Sequence, residues 1–488
     1  MILIISHSVV QSFVAFLVGG LGAFGFAPYS SVPLLVLSLW YYCVSKGGFF
    51  WGVGFFLTGV YWVYVPIIQF TSATWYLAIV MVFLLVVVLA LFSYLPKVIL
   101  ARCIPDSIHY LALPVLFSIG EYCRTFIGGG FPYLMIGDAL SGTVLDGLHP
   151  ILGSLGSGFL LLATVSFVSR LAKKKQWSGI LLTTTIVIFI QTSLGFISWT
   201  KQVSSDHAIA LISTQVKQSI KFTSSQALQT LKNIELLSTS TLSNNSVQII
   251  IFPETAIPFS SDSVIPMLQS IKKQMRDDQM VITGIFLPHT QGYSNGILAF
   301  TSTNQYEYRK RQLVLFGEFW PNIPGANIIS NLLNIPFSSL KSGAKQQMPL
   351  IYKDFYLIPT ICFEVGYSRL FRHNPAQKSA FISISNNGWF GNTRASDQQL
   401  QIAISRVREY GKPLYLVSNY GTTTLITTDG KTQNPITSTD GVMKYPLLAT
   451  LGSTPYNIWG NIPVVIIWLL ILSIVIRYVI KEKRKLPV

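Results

Sequence analysis

Three residues in the C-terminal half carry side chains that together can run an acyl transfer. Cys362 ends the apolar run LIPTIC (357–362), Glu254 ends IIIFPE (249–254), and Lys310 lies in YEYRKRQ (306–312). A thiol attacks a carbonyl only as its thiolate, a carboxylate can take the proton, and an ammonium can bind the oxyanion that develops. Taken singly each has a plainer reading: a packed core thiol, a rim carboxylate in a salt bridge, and, for a lysine between Arg309 and Arg311, a solvated basic face. The other cysteines stand at 43, 103 and 123, so Cys362 has no disulfide partner within residues 201–455.

The elements that must position this trio belong to a very apolar chain. Of its 488 residues 50% are hydrophobic and 11% charged, against about a quarter charged in soluble domains. Residues 1–200 hold seven apolar runs, at about 9–27, 31–45, 49–68, 76–96, 109–127, 151–169 and 178–198, and an eighth covers 458–476. The second and fifth are the weakest, being short or carrying polar residues such as Glu121. The first is expected to be an uncleaved span rather than a signal peptide. The expected organisation is a transmembrane bundle over 1–200, a globular domain over 201–455, and a last span with a basic tail over 456–488.

Outside the globular segment there are 13 Lys/Arg, and an orientation with the N-terminus inside puts 12 of them in inner loops or the tail, Arg124 being the exception. Positive residues stay on the cytoplasmic side, so the globular segment is expected outside the cytoplasm. Much of the net charge of +16 is this topology signal. The globular segment adds 22 Lys/Arg against 14 Asp/Glu, a balance of +8 that suits an anionic lipid surface. There is no basic stripe interleaved with aromatics, so no nucleic-acid partner is expected.

Within 201–455 short β-rich runs (207–216, 247–256, 279–286, 295–302, 354–364, 379–387, 413–427) alternate with helical stretches (224–239, 264–277, 396–411). In the last, Leu400, Ala403, Ile404 and Val407 share one helical face. The alternation predicts an α/β layered domain. Residues 318–347 are apolar, broken by Pro and Gly, and lack a strand period; so long a loop is often functional, and it is a candidate lid or lipid-contacting segment.

Read in order, IIIFPETAIPF, YRKRQLVLFGEFWP and ICFEVGYSRLFR resemble the Glu–Lys–Cys segments of the nitrilase superfamily. Their fusion to a membrane bundle, with WGVGFFLTGVYWVYVPI (51–67), GGFPYLMIGDAL (129–140) and SISNNGWFGNT (383–393), resembles the apolipoprotein N-acyltransferase family across nearly the whole chain. The resemblance implies about eight transmembrane helices plus an extracytoplasmic nitrilase-like αββα sandwich. It implies Cys362 as nucleophile, Glu254 as general base, Lys310 as oxyanion stabiliser, and Glu318 and Glu364 in support. Phe222, Tyr133 and Trp389 are the implied substrate-binding residues; the first two replace tryptophans the family often has. A helix following Cys362 would help lower the thiol pKa.

The implied reaction uses no cofactor and no metal. A phospholipid, phosphatidylethanolamine being the expected donor, acylates the cysteine, and the thioester passes to the N-terminal diacylglyceryl-cysteine of an apolipoprotein. The implied location is the bacterial inner membrane with the catalytic domain in the periplasm. Two other readings remain: a membrane-tethered amidase or nitrilase cleaving a C–N substrate, for which eight spans have no purpose, and a transporter or non-catalytic scaffold, which gives no reason to keep the trio together.

Overall fold

The structure is a computed structural model and describes residues 7–71, 73–319, 340–437 and 439–484. The chain folds as two compact units, one of Met1–Tyr64, Tyr76–Ile197 and Thr454–Val488, the other of Val65–Trp75 and Ser198–Ser453.

The first unit is helical. Six helical runs among the described residues are long and apolar enough to cross a membrane: Ser8–Gly25, Phe49–Gln69, Trp75–Cys103, His149–Lys173, Trp177–Gly195 and Ile462–Lys483. Two further expected spans are also helical but shorter, Val32–Val44 with 13 residues and His109–Arg124 with 16. At about 1.5 Å per residue these reach roughly 20 and 24 Å, less than the ~30 Å hydrocarbon core. Helices pack closely through small residues, as membrane helices do. A Cβ on Gly54 would come within 1.9 Å of the Phe16 carbonyl oxygen, and one on Gly19 within 2.0 Å of that of Trp51.

Two buried charges of this unit, Glu121 and Arg124, hold a loop. Arg124 donates to the carbonyls of Phe131 (2.9 Å), Leu134 (3.2 Å) and Tyr133, and Glu121 accepts the Ile136 N–H at 2.8 Å. A single ion pair of 3.8 Å joins the two side chains. Burying two charges is costly unless each is paired and hydrogen-bonded; here the ion pair meets the first condition and the 131–136 backbone the second.

Among the described residues the second unit is a sandwich of twelve strands: β1 (Thr200–Ser213), β2 (Val247–Ile251), β3 (Met280–His289), β4 (Gly292–Phe300), β5 (Gln305–Arg309), β6 (Leu350–Tyr352), β7 (Phe355–Ile361), β8 (Lys378–Asn386), β9 (Leu414–Asn419), β10 (Thr423–Ile426), β11 (Thr432–Ile436) and β12 (Gly441–Gly452). One sheet runs β12-β1-β2-β3-β4-β5, the other β11-β10-β9-β8-β7-β6, and the pairs Thr450–Ser379 and Thr214–Asn419 bridge them.

Period-two alternation explains the layers. Ile209, Leu211, Ile249 and Ile251 face inward and pack with Leu357, Ile361, Ile382, Ile384 and Val417 of the other sheet. Their neighbours Ala210, Ile212, Ile250 and Phe252 face outward and meet Ile234 and Leu242 of the helix Ser224–Leu242 and Leu268 and Ile271 of the helix Ile265–Gln274. On the far side the helix Ala395–Tyr410 packs Tyr410 against Phe381 of β8, with ring centroids 5.9 Å apart. That helix ends where Gly411 takes a left-handed φ of 63° and donates its N–H to Val407. β2 lies parallel between β1 and β3, and all five of its residues are buried, which is why its sequence VQIII is a run rather than an alternation.

Candidate active site

Three strand ends of the second unit converge. Behind Ile251 the chain leaves β2 as Phe252-Pro253-Glu254. Here the backbone presses on β3 so closely that a Cβ at Gly284 would lie 2.5 Å from the Pro253 oxygen and 2.7 Å from the Glu254 Cα. Glu254 is buried at 5% exposure. Thr255 follows with a φ of 46°, a left-handed conformation that β-branched residues rarely adopt.

Lys310 follows β5 and is 1% exposed. Its Nζ lies 2.9 Å from Glu318 Oε1 and 3.5 Å from Glu254 Oε1. The Asn295 amide closes the figure, with Nδ2 donating to Glu254 Oε1 at 2.7 Å and to Glu318 Oε1 at 3.0 Å. Two donors and two acceptors thus form a ring of charge-assisted hydrogen bonds. Glu318 is held in turn by the Val314 N–H at 2.9 Å. Burial by itself would lower the Lys310 ammonium, but the Glu318 and Glu254 carboxylates and the nearby Cys362 outweigh it and raise it above the ordinary lysine value. Lys310 is a fixed positive charge.

Cys362 directly follows β7 with a φ of 52°, a strained elbow of the sort that concentrates at functional sites and costs on the order of 1–3 kcal/mol. It carries no disulfide. Two short 3-10 turns follow, Cys362–Gly366 and Ser368–Phe371, rather than the expected helix. A helix N-terminus therefore does not lower this thiol. Burial raises it, the Glu254 charge raises it further, and Lys310 and the Asn386 backbone oppose them; the balance lies above the ordinary cysteine value.

The tight turn traces to Glu364, which is fully buried. One carboxylate oxygen accepts the Ile361 N–H (2.9 Å) and the Tyr308 hydroxyl (2.7 Å), the other the N–H groups of Arg311 (2.7 Å) and Gln312 (3.1 Å). Burial raises this carboxyl above its ordinary value, and the Tyr308, Ile361 and Arg311 donors oppose that rise only in part. Backbone N–H groups on both oxygens favour an accepting group at this position.

Phe222 is half-buried and lies 6.3 Å from the Phe286 ring. Trp389 ends the 3-10 turn Asn387–Trp389, which begins one residue after Asn386, the backbone partner of Cys362. Tyr133 belongs to the first unit, where it is 3% exposed and packs 5.2 Å from Trp62. Of the 318–347 loop, residues 320–339 lie outside the described residues, while Leu340 donates to the Glu318 carbonyl at 3.0 Å. Asn295, Tyr308 and Asn386 were not singled out from sequence. The one signal at Asn295 is a polar residue opening the apolar run NGILAF.

Comparison with known proteins agrees with the two-unit layout. Residues 18–168 match the apolipoprotein N-acyltransferase N-terminal domain and residues 210–461 match the carbon-nitrogen hydrolase family. An apolipoprotein N-acyltransferase of Wigglesworthia glossinidia brevipalpis is 29% identical over 501 residues, covering 97% of this chain and 99% of its own length. That of Vibrio cholerae serotype O1 is 30% identical over 488 residues, covering 94% and 95%. With both family domains in this order and the relatives matched from end to end, the chain belongs to the apolipoprotein N-acyltransferase family and carries a carbon-nitrogen hydrolase domain behind a bundle of apolar helices.

Proposed function

We propose that this protein is a phospholipid-dependent acyltransferase that N-acylates the diacylglyceryl-cysteine of apolipoproteins through a thioester on Cys362. The observation that carries the assignment of roles is the ring in which Lys310 and Asn295 both meet Oε1 of Glu254, which leaves Oε2 as the oxygen assigned to the Cys362 proton.

The thiol is protonated at rest, so proton transfer and attack go together. Glu254 takes the Sγ proton as sulfur bonds to an ester carbonyl carbon of the phospholipid, and the carbonyl π electrons move to oxygen. Lys310 stabilises that oxyanion. Collapse breaks the ester C–O bond, and the lysophospholipid alkoxide leaves with the proton from Glu254. The α-amine of the apolipoprotein then attacks the thioester and gives its proton to Glu254. The C–S bond breaks, an amide forms, and the thiolate recovers its proton. Glu318 keeps Lys310 in place, and Glu364 holds the Cys362 turn.

Phosphatidylethanolamine is the donor we expect; membership of the family supports the inner membrane as the place of the reaction, and the distribution of Lys/Arg supports a catalytic unit on its periplasmic side. Membrane attachment has a clear physical purpose. Moving a chain of about sixteen carbons from lipid into water costs on the order of 10 kcal/mol at roughly 0.8 kcal/mol per CH₂, and an enzyme carried by membrane helices need not extract it. Purified protein incubated with phosphatidylethanolamine and a diacylated lipopeptide tests the proposal. An amide-linked third chain is the expected product, and hydrolysis of the donor with no acylated peptide would refute it.

A further inference from the structure

Lys221 is a buried amine that the mechanism above leaves unused. It is 2% exposed and belongs to the loop between β1 and the helix Ser224–Leu242. Its Nζ donates to the Thr255 hydroxyl at 2.8 Å and to the Glu254 carbonyl at 3.2 Å. These bonds fall on the turn where Thr255 takes its left-handed conformation. A strained turn persists only where its surroundings over-determine it, and Lys221 supplies two bonds to that end.

The same loop also reaches the nucleophile's side. Gln218 accepts from Asn386 Nδ2 at 2.8 Å, and the Val216 N–H donates to Asn419 Oδ1 at 2.9 Å. Asn419 Nδ2 in turn donates to Asn386 Oδ1 at 2.8 Å. One strap therefore touches the end of β2, which carries the base, and the ends of β8 and β9, which lie beside the thiol. Phe222 follows Lys221 directly.

We propose that Lys221 is a positioning residue for the acyl transfer, fixing the Glu254 turn through Thr255 so that the carboxylate is held ready for the Cys362 proton. The inference rests on the reading of Glu254 as the base. Burial pushes the Lys221 amine down to about 7, with the Glu254 charge opposing it. An amine buried at such cost, against a carbonyl and a hydroxyl, is consistent with a positional task.

The test follows lysophospholipid release by Lys221→Met, Thr255→Val and the double variant in detergent-solubilised full-length protein, with rates taken per folded molecule from melting curves. Thr255→Val keeps the shape and removes only the accepting hydroxyl, so it reads the bond even where Lys221→Met folds poorly. The proposal expects a fall in the acylation rate constant of about tenfold or more in each single variant, which is about 1.4 kcal/mol. It also expects half-saturation by phospholipid to stay within about twofold, and a double variant no slower than the worse single one, as for residues acting through one contact. Wild-type acylation in Thr255→Val, or losses that multiply in the double variant, would overturn it. Glu254→Gln run alongside separates the two levels: if it acylates normally the base assignment has failed, and if it is inactive while both single variants are normal, only the role of Lys221 has.

Discussion

Glu364 accepts the backbone N–H of Arg311 at 2.7 Å while its other oxygen accepts that of Ile361, so one carboxylate ties the segment after Lys310 to the turn that presents Cys362. Nothing about Glu364 requires contact with substrate. Its position gives an acid two residues past the thiol a structural task.

Glu364→Gln replaces one accepting oxygen with an amide NH₂ that faces donors. A buried group left unsatisfied costs about 1–3 kcal/mol, more for charged groups. We expect a loss of unfolding free energy of about 2–4 kcal/mol and a thioester-forming rate reduced more than about tenfold. Both are read on one preparation, by thermal melts and by lysophospholipid release. A variant with wild-type melting would contradict this role.

Lys310→Ala removes the ammonium and leaves Glu254 and Glu318 buried without their shared cation. Loss of an oxyanion-stabilising donor costs about 10²–10³ in rate, and we expect at least that in single-turnover thioester formation. A near-normal rate would remove Lys310 from the oxyanion role.

Asn295→Ala deletes two of the four bonds in the ring around Glu254 and Glu318 while leaving all three reactive side chains in place. We expect a rate reduced by about 10–100-fold, on the basis of about 1.5–3 kcal/mol for hydrogen bonds to charged groups, with phospholipid half-saturation little changed. Steady-state kinetics on mixed micelles decide it.

The raised Cys362 pKa gives a pH dependence with a definite sign. A folded pKa above the free-cysteine value means less thiolate at neutral pH, hence slower alkylation by iodoacetamide than a free cysteine shows. Because the folded thiol also holds its proton to higher pH than the unfolded one, this group's contribution to stability is full below the unfolded pKa and declines as pH rises above it. Alkylation of Cys362, followed by peptide mass spectrometry from pH 6 to 10, is expected to keep accelerating beyond about pH 8.5, where a free thiol begins to level off. A plateau near neutral pH would contradict the buried, protonated resting state.

Much of this was legible in the chain itself, for physical reasons. Apolar runs betray membrane helices because a lipid environment tolerates few charges, and VQIII betrays a strand buried on both faces. The Glu254 and Cys362 segments stand out because each candidate residue follows an apolar strand, whereas Lys310 follows the polar strand QYEYR and is marked by the family resemblance alone. Asn295 was hidden because a single amide among small residues has no signature until the fold sets two carboxylates beside it. Lys221 was hidden by resemblance to an ordinary surface lysine, and the conformation after Cys362 by its helix-like composition, which the hydrogen bonds of Glu364 override. Val32–Val44 and His109–Arg124 show the limit of hydropathy: a window identifies the apolar segment but not the helix length, which packing and caps decide.

The most direct test of the account is peptide mass spectrometry of the purified protein after incubation with phosphatidylethanolamine alone. The expected result is a fatty-acyl mass on Cys362, labile to hydroxylamine, absent in Glu254→Gln, and discharged as an amide when a diacylated lipopeptide is added. An acyl group on another residue, or turnover of the lipopeptide by Cys362→Ala, would contradict it.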